Sequence, residues 1–282
     1  MISRTTDIST EFKEKRREKD SNPAEVYPES ILTLPSAISS LQRISLQEMA
    51  QVKLMNRVEA KYLVSVNSVP AMLQRLSNHY VMQEIIGNTL AEYETVYLDT
   101  EGLDSFLSHI NGKLNRFKWR IRNYVESDLC FLEIKNKTNK GRVEKNRIPY
   151  NAVSGLNDFH VSEFINRTSG LTAESLFPVL KNKFNRITLV NSLKTERLTI
   201  DLNISFQNCL NGESATLGNL AIIELKQEKS AKSVAGEYFE SIRIKKRGIS
   251  KYCLGMVLTS DRIKGNLYKQ KIRHIAKIAN LL

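Results

Sequence analysis

The sequence is poor in cysteine, glycine and proline, and each shortage argues against a class of protein. Cys130, Cys209 and Cys253 are far apart and form no CxxC pair, which argues against a disulfide framework and a structural zinc site. Twelve glycines and six prolines in 282 residues exclude collagen-like and proline-rich chains. No run approaches the roughly 18 uninterrupted apolar residues of a membrane span, and the N-terminal stretch has no signal-peptide core. These absences predict a soluble, cytoplasmic protein.

Several catalytic signatures are also missing. The sequence has no GxxxxGK[ST] loop, so a P-loop ATPase is not supported. Its four histidines, His79, His109, His160 and His274, show no metal-ligand spacing. No Ser-His-Asp or Cys-His arrangement can be argued from the chain. The main indication of function in this sequence is therefore its charge distribution rather than a short motif.

Positive charge is what the chain has in excess. Forty-two Lys and Arg against thirty Asp and Glu give a net charge of +12, which predicts anionic partners. Between Lys113 and Arg147 there are eleven basic and four acidic residues. More than half of the net charge therefore lies in about an eighth of the chain.

The pattern along the chain predicts one folded domain after a polar extension. Residues 1–40 are polar and aperiodic and are expected to be flexible, whereas residues 41–282 are expected to form a single domain that ends in a basic amphipathic helix. That helix either caps the domain or contacts acidic lipid. Helices are predicted at 45–53, 69–76, 103–110 and 236–245, and residues 151–182 are predicted to be helical and loop-like. Strands are predicted at 57–64, 94–100, 114–124, 129–137, 142–148, 186–190, 197–204 and 220–226.

One of these strands, RFKWRIRNY, separates charge from apolar surface completely. Period-two alternation places Arg116, Lys118, Arg120 and Arg122 on one face and Phe117, Trp119 and Ile121 on the other. Taken alone, this pattern also fits an edge strand with a solvated outer face.

The other strands repeat the separation, which favours an enclosed ionic face. RVEAKYLV, FLEIKNK, VEKNRI, RLTIDLNI and IIELK each carry one ionic and one apolar face. If the amphipathic helices cover the apolar faces, then the ionic faces converge. The expected fold is α+β, with a closed antiparallel β-barrel tunnel, a charged lumen and helices packed outside.

Such a lumen predicts an extended anion. Like charges at positions i and i+2 of a strand are about 6.6 Å apart and repel by roughly 2.5 kcal/mol at an effective dielectric of about 20. The acids Glu59, Glu133 and Glu224 neutralise only part of this charge. A linear phosphate chain is the expected occupant, because phosphate matches arginine geometry.

The order of these segments resembles the VTC domain, the polyphosphate polymerase domain of the vacuolar transporter chaperone family and its bacterial relatives. RVEAKY, YLDT, the RxKxRxR strand, FLEIK, GRVEKNR, FNR, ERLTIDL, IIELK and SKYCLG occur in this order across residues 41–256. The resemblance extends to the triphosphate tunnel metalloenzyme and CYTH-like superfamily. It implies a tunnel that binds ATP or polyphosphate with a divalent metal, Mn²⁺ or Mg²⁺, and attack of a growing chain on the γ-phosphate of ATP.

The resemblance also implies roles for individual residues, and the strand faces add two more cations. Phosphoryl transfer is assigned to Lys61, Arg120, Arg122 and Lys135. Substrate binding is assigned to Lys118, Lys145, Arg186, Arg197, Lys226 and Lys251, of which Lys118 and Lys226 follow from strand alternation. Glu224 is the implied metal ligand, with an internal salt bridge as the alternative, and Glu59 either assists the metal or pairs with a lysine. Arg57 stands where wider superfamily members have the first acid of ExExK, and Gly248 stands where the family often has a lysine.

Other functions stay open at this point. Hydrolysis of triphosphate or polyphosphate would use the same tunnel, and so would a non-catalytic module for polyphosphate, inositol phosphate or pyrophosphate. A membrane protein that receives the product is a further expected partner and would associate the chain with a membrane. Nucleic acid is not expected, because Phe117 and Trp119 lie opposite the arginines rather than between them.

Overall fold

A computed structural model of the chain describes residues 29–50, 57–140, 142–229, 232–260, 263 and 265–279. Most of the predicted extension, the end of the predicted helix at 45–53 and the last three residues lie outside this range. Eleven strands lie within it: β1 Arg43–Ser45, β2 Arg57–Ser65, β3 Tyr80–Glu84, β4 Ala91–Asp99, β5 Arg116–Tyr124, β6 Leu129–Lys137, β7 Val143–Pro149, β8 Phe177–Asn191, β9 Glu196–Asn208, β10 Ser214–Thr216 and β11 Leu220–Glu228. The α-helices of these residues are α1 Glu29–Ser39, α2 Leu46–Ala50, α3 Val69–Leu76, α4 Asp104–Ile110, α5 Phe159–Ser169, α6 Val234–Ser241, α7 Lys251–Leu258 and α8 Lys269–Ile278.

The sheet is curled but open, which corrects the predicted closed barrel. Its order is β2-β11-β9-β8-β4-β5-β6-β7, and consecutive neighbours are antiparallel. Among the described residues, no pairing joins β2 to β7. The free edge of β2 is occupied instead, because the backbone N–H of Arg247 donates to the carbonyl of Lys61 at 2.8 Å. The fold is thus α+β with a half-barrel.

Helices cover the convex face, as the strand alternation predicts. Tyr62, Ile200 and Ile223 are fully buried with the apolar residues of α3 and α6. Trp119 and Leu132 are buried against α5 in the same way. The convex side of the sheet therefore forms an ordinary apolar core with its helices.

The concave face holds two helices of its own, which corrects the expectation that all helices pack outside. Leu63 and Ile222 are two residues from Lys61 and Glu224 and thus lie on the ionic face of their strands. Both are buried in one cluster with α7 and α8. One part of the concave face is therefore apolar and covered by α7 and α8, and only the remainder carries the ionic residues.

Further departures from the predicted elements are local. Leu34 of α1 is buried in the convex core, so the folded part begins inside the predicted extension. Strand β8 starts at Phe177, within the segment predicted to be helical and loop-like, and β3 and α7 are not predicted at all. None of the helices among the described residues is long and apolar enough to cross a membrane.

The position of α7 depends on a close approach at Gly255. A Cβ atom built there would lie 2.5 Å from Leu180 Cδ2 and 2.6 Å from Phe206 Cδ1, and both of these side chains are buried. Gly255→Ala should therefore lower the free energy of unfolding by about 1–3 kcal/mol through overpacking. Gly248→Ala is the matched control, because nothing lies within 4 Å of its Cβ. Urea titration of the two variants checks this, and equal stabilities would contradict the close packing of α7.

Candidate phosphate-binding channel

The concave face brings the predicted site residues onto one surface. β2, β11, β9 and β8 carry Lys61, Glu224, Lys226, Arg197 and Arg186; β5, β6 and β7 carry Lys118, Arg120, Arg122, Lys135 and Lys145; and α7 begins at Lys251. We call this surface the channel. Strand register aligns its charges, since Lys61 lies opposite Glu224 and Arg120 lies opposite Glu133.

Three carboxylates on the channel each bind two cations. Glu133 accepts from Arg120 Nε at 2.6 Å and also binds Lys145. Asp201 accepts from Arg186 Nε and Nη2 at 2.6 and 2.8 Å.

Asp201 and Glu224 each contact two cations as well. Asp201 also binds Lys251. Glu224 binds Lys226 and lies 3.7 Å from Lys61 Nζ, and Lys61 also binds Glu59. Each carboxylate thus holds a pair of cations in place on the channel wall.

These carboxylates are ionised at neutral pH. Burial alone would raise the pKa of Glu133 and Asp201, but Arg120 beside Glu133 and Arg186 beside Asp201 lower each pKa to about 2. The pKa of Glu224 also lies well below its ordinary value, since Lys226 and Lys61 outweigh burial. Even so, the ten predicted cations against four channel carboxylates, Glu59, Glu133, Asp201 and Glu224, leave six positive charges when all are ionised.

Curling of the sheet brings distant strands together electrostatically. Lys135 on β6 interacts with the charges of Glu224, Lys226 and Glu59, although β6 and β11 are separated in sheet order by β9, β8, β4 and β5. Lys118 on β5 likewise interacts with Lys61 on β2. The two ends of the sheet thus face each other across the channel.

Four lysines of the channel have pKa values below the ordinary value for lysine. Burial is the main cause in each case; it lowers the pKa of Lys135 and Lys251 to about 7 and the pKa of Lys118 and Lys145 to about 8. Neighbouring cations lower these values further, among them Arg120 near Lys135 and Arg186 near Lys251. Without a bound anion, the channel therefore loses positive charge as pH rises above 7.

This linkage predicts proton uptake when a polyanion binds. A bound phosphate chain raises the lysine pKa values, so binding of tripolyphosphate at pH 7.5–8 should take up protons and weaken as pH rises to 9. The free protein should behave in the opposite way. Because the folded pKa values lie below those of the unfolded chain, its stability should rise with pH between about 7 and 10.5.

Calorimetric titration in buffers of different ionisation enthalpy measures the uptake. A binding enthalpy that is independent of the buffer would contradict the lowered lysine pKa values. Orthophosphate at matched ionic strength is the control for non-specific screening.

Arg122 of the channel is buried with little compensation from carboxylates. Arg122 is 7% exposed and donates from Nε to Thr95 Oγ1 at 3.2 Å. Burial, Arg120 and Arg186 lower its pKa. Arg197 is only half-buried, and its pKa is also lowered, by partial burial and by the nearby charge of Arg57. Buried positive charge of this kind favours an anionic ligand.

Sequence reasoning missed the residues that fix α7. Buried Asp99 of the YLDT segment accepts from Tyr252 Oη at 2.5 Å and from the backbone N–H groups of Ser105 and Phe106, each at 2.9 Å. Lys118 Nζ donates to Ser250 Oγ at 3.0 Å. These bonds join β4, α4 and β5 to the start of α7, where Lys251 enters the channel. Alternation in RLTIDLNI places Asp201 on the ionic face, but it does not indicate that this carboxylate pairs with both Arg186 and Lys251.

A divalent metal fits the channel only together with a ligand. The described residues contain no group of three or more His, Cys, Asp and Glu side chains that could enclose a metal ion. Lys61 lies near both Glu224 and Glu59, so the two carboxylates flank the same lysine. Mg²⁺ and similar ions are often held by one or two carboxylates plus substrate phosphates, and the channel offers this donor set.

Comparison with known proteins identifies the family. The family model of the VTC domain matches residues 56–260, and the chain belongs to this family. No curated protein sequence matches the chain.

Solved structures with a similar arrangement include two cyclase-like proteins. A Bacillus halodurans protein provisionally described as an adenylate cyclase shares 15% identity, with 70% of this chain and 96% of that chain covered and a TM-score of 0.46. A Hippeastrum protein provisionally described as an adenylyl cyclase with a dominant triphosphatase activity also shares 15% identity, with 74% and 99% covered and a TM-score of 0.45. At these scores, neither likeness bears on the activity of this chain.

Proposed function

We propose that the chain is a metal-dependent polyphosphate polymerase, which transfers the γ-phosphate of ATP to the end of a polyphosphate chain. Membership of the VTC domain family supports a role with triphosphate or polyphosphate. The observation that carries the proposal is the channel, where the basic residues of β5 and β6 face Glu224 and Lys61 across a curled sheet.

The channel residues suit phosphoryl transfer, because this reaction depends mainly on positioning and electrostatic stabilisation. Arg120 and Arg122 stand two residues apart on β5 and would clamp the oxygens of the transferred group. Lys61, Lys135 and Lys145 would contact neighbouring phosphates as point charges. Both arginines keep donors for phosphate, since Glu133 binds Nε and Nη2 of Arg120 and Thr95 accepts from Nε of Arg122.

The carboxylates hold the cations in place and leave donors for a ligand. Phosphate oxygens would accept from the donors of Arg120 and Arg186 that Glu133 and Asp201 do not occupy. Glu224, with help from Glu59, would hold Mg²⁺ or Mn²⁺. When bound, the metal supplies Lewis-acid stabilisation of phosphoryl oxygens.

Incubation with ATP and either Mn²⁺ or Mg²⁺, followed by separation of products on a gel, tests the proposal. Long polymer together with ADP is the expected result, and it should disappear when EDTA is added. Free phosphate without polymer would replace the proposal by hydrolysis. No product, together with stabilisation by polyphosphate but not by orthophosphate, would indicate a binding module.

A further inference from the structure

A stacked aromatic pair lies beneath three of the channel cations. The rings of Tyr93 on β4 and Phe184 on β8 are 5.2 Å apart and 16° from parallel. Both side chains are buried, with 7% and 1% of their surface exposed. We call this pair the aromatic floor.

Three cations from three different elements contact this floor. Arg186 lies over Tyr93 and Phe184 at 5.0 and 5.1 Å from the ring centroids. Arg122 lies over the same two rings at 5.7 and 5.9 Å. Lys251 Nζ lies 3.4 Å from the centroid of Phe184. Cations from β8, β5 and α7 thus lie over the same pair of rings.

We infer that Tyr93 and Phe184 are positioning residues, which hold Arg122, Arg186 and Lys251 over one pair of rings so that they bind neighbouring phosphates of a linear chain. This inference rests on the proposed function, because it names the part of the channel that binds the phosphates. The negative face of an aromatic ring attracts cations, and the attraction grows when the cation is desolvated. Asp201 binds Arg186 and Lys251 and offsets one of the three positive charges. The floor can stabilise the remaining positive charge without neutralising it.

The hydrogen bonds of the two arginines support this arrangement. Asp201 binds Nε and Nη2 of Arg186 and leaves its Nη1 group directed elsewhere. Thr95 accepts from Nε of Arg122. With one edge of each guanidinium bound and one face on the rings, the remaining N–H donors are fixed in direction and can meet phosphate oxygens.

An ordinary core role for Phe184 is the alternative, and Phe206 on β9 provides the matched control. Phe206 belongs to the same buried cluster and is 2% exposed, and its described ring contacts include no cation. Phe184→Leu and Phe206→Leu should destabilise the protein to a similar degree. Only Phe184→Leu should weaken the affinity of the folded protein for tripolyphosphate, by about tenfold.

Graded fluorination of Phe184 separates the ring's charge distribution from its shape. Incorporation of mono-, di- and trifluorophenylalanine at this position keeps the size of the ring nearly constant while it weakens the negative face. Calorimetric titration with sodium tripolyphosphate in metal-free buffer should show affinity falling stepwise with each added fluorine. The melting temperature should change little across the series.

The outcomes distinguish this inference from the proposed function. If the wild type binds tripolyphosphate but neither fluorination nor Phe184→Leu changes the affinity relative to Phe206→Leu, the floor is ordinary core and the inference is overturned. If the wild type itself shows no saturable binding of tripolyphosphate, the proposed function fails and the inference fails with it. A stepwise loss of affinity supports the inference whether or not polymer is made.

Discussion

Replacing Glu224 with glutamine is expected to abolish metal-dependent turnover while metal-free binding of tripolyphosphate stays intact or becomes tighter. A carboxylate attracts a polyanion only through a metal, so its loss should remove the metal's contribution of several kcal/mol. At about 1.36 kcal/mol per factor of ten, the rate should fall by about a hundredfold or more. Glu224→Gln also removes a negative charge beside Lys61 and Lys226, which makes Lys226 in particular more available to phosphate, since Lys61 still binds Glu59.

Glu59→Gln is the matched control for this variant. Glu59 also binds Lys61, but its side chain is 37% exposed against 17% for Glu224, so a smaller loss of rate is expected. Rates with ATP and Mn²⁺ and affinities in EDTA would be measured for both variants. Full activity of Glu224→Gln would show that this residue only neutralises lysines and that the metal assignment is wrong.

Strand faces could be predicted from the sequence because period-two alternation is a local property of the chain. On β5, Trp119 is buried against α5 and Arg120 faces Glu133 in the channel, as the alternation indicates. The pairing of Arg186 with Asp201 could also have been predicted. The turn between β8 and β9 sets a register in which Val190 faces Arg197 and Arg186 faces Asp201.

Closure of the sheet could not be predicted in this way, because it depends on contacts between distant segments. Among the described residues β2 does not pair with β7, and the chain before α7 contacts β2 instead, where the backbone N–H of Arg247 donates to the carbonyl of Lys61. The segment KYCLGMVL that forms α7 is eight residues long and nearly all apolar, so its pattern fits a buried strand as well as a helix. The aromatic floor cannot be predicted from the pattern either, because Phe184 lies before the predicted strand at 186–190 and the sequence assigns it to no strand face, whereas β8 begins at Phe177.

Replacing Arg120 is expected to damage both stability and function, and the two effects can be separated. Arg120 binds Glu133, whose side chain is fully buried. Arg120→Ala leaves this carboxylate with Lys145 as its remaining ion-pair partner among the described residues. Loss of one partner of a buried pair typically costs about 3–5 kcal/mol, and the pKa of Glu133 should rise because Arg120 is the strongest influence that lowers it.

The double variant Arg120→Ala/Glu133→Gln isolates the functional part of that loss. Removing the buried negative charge should restore most of the stability, since no uncompensated carboxylate remains. Binding of tripolyphosphate and the rate with ATP should stay low, because the clamp on the phosphate oxygens is still missing in both the ground state and the transition state. Urea titration, calorimetric binding and rates would be compared for wild type, both single variants and the double variant. Recovery of the rate in the double variant would show that Arg120 acts only by neutralising Glu133, whereas a persistent loss of rate at restored stability assigns the guanidinium to the substrate.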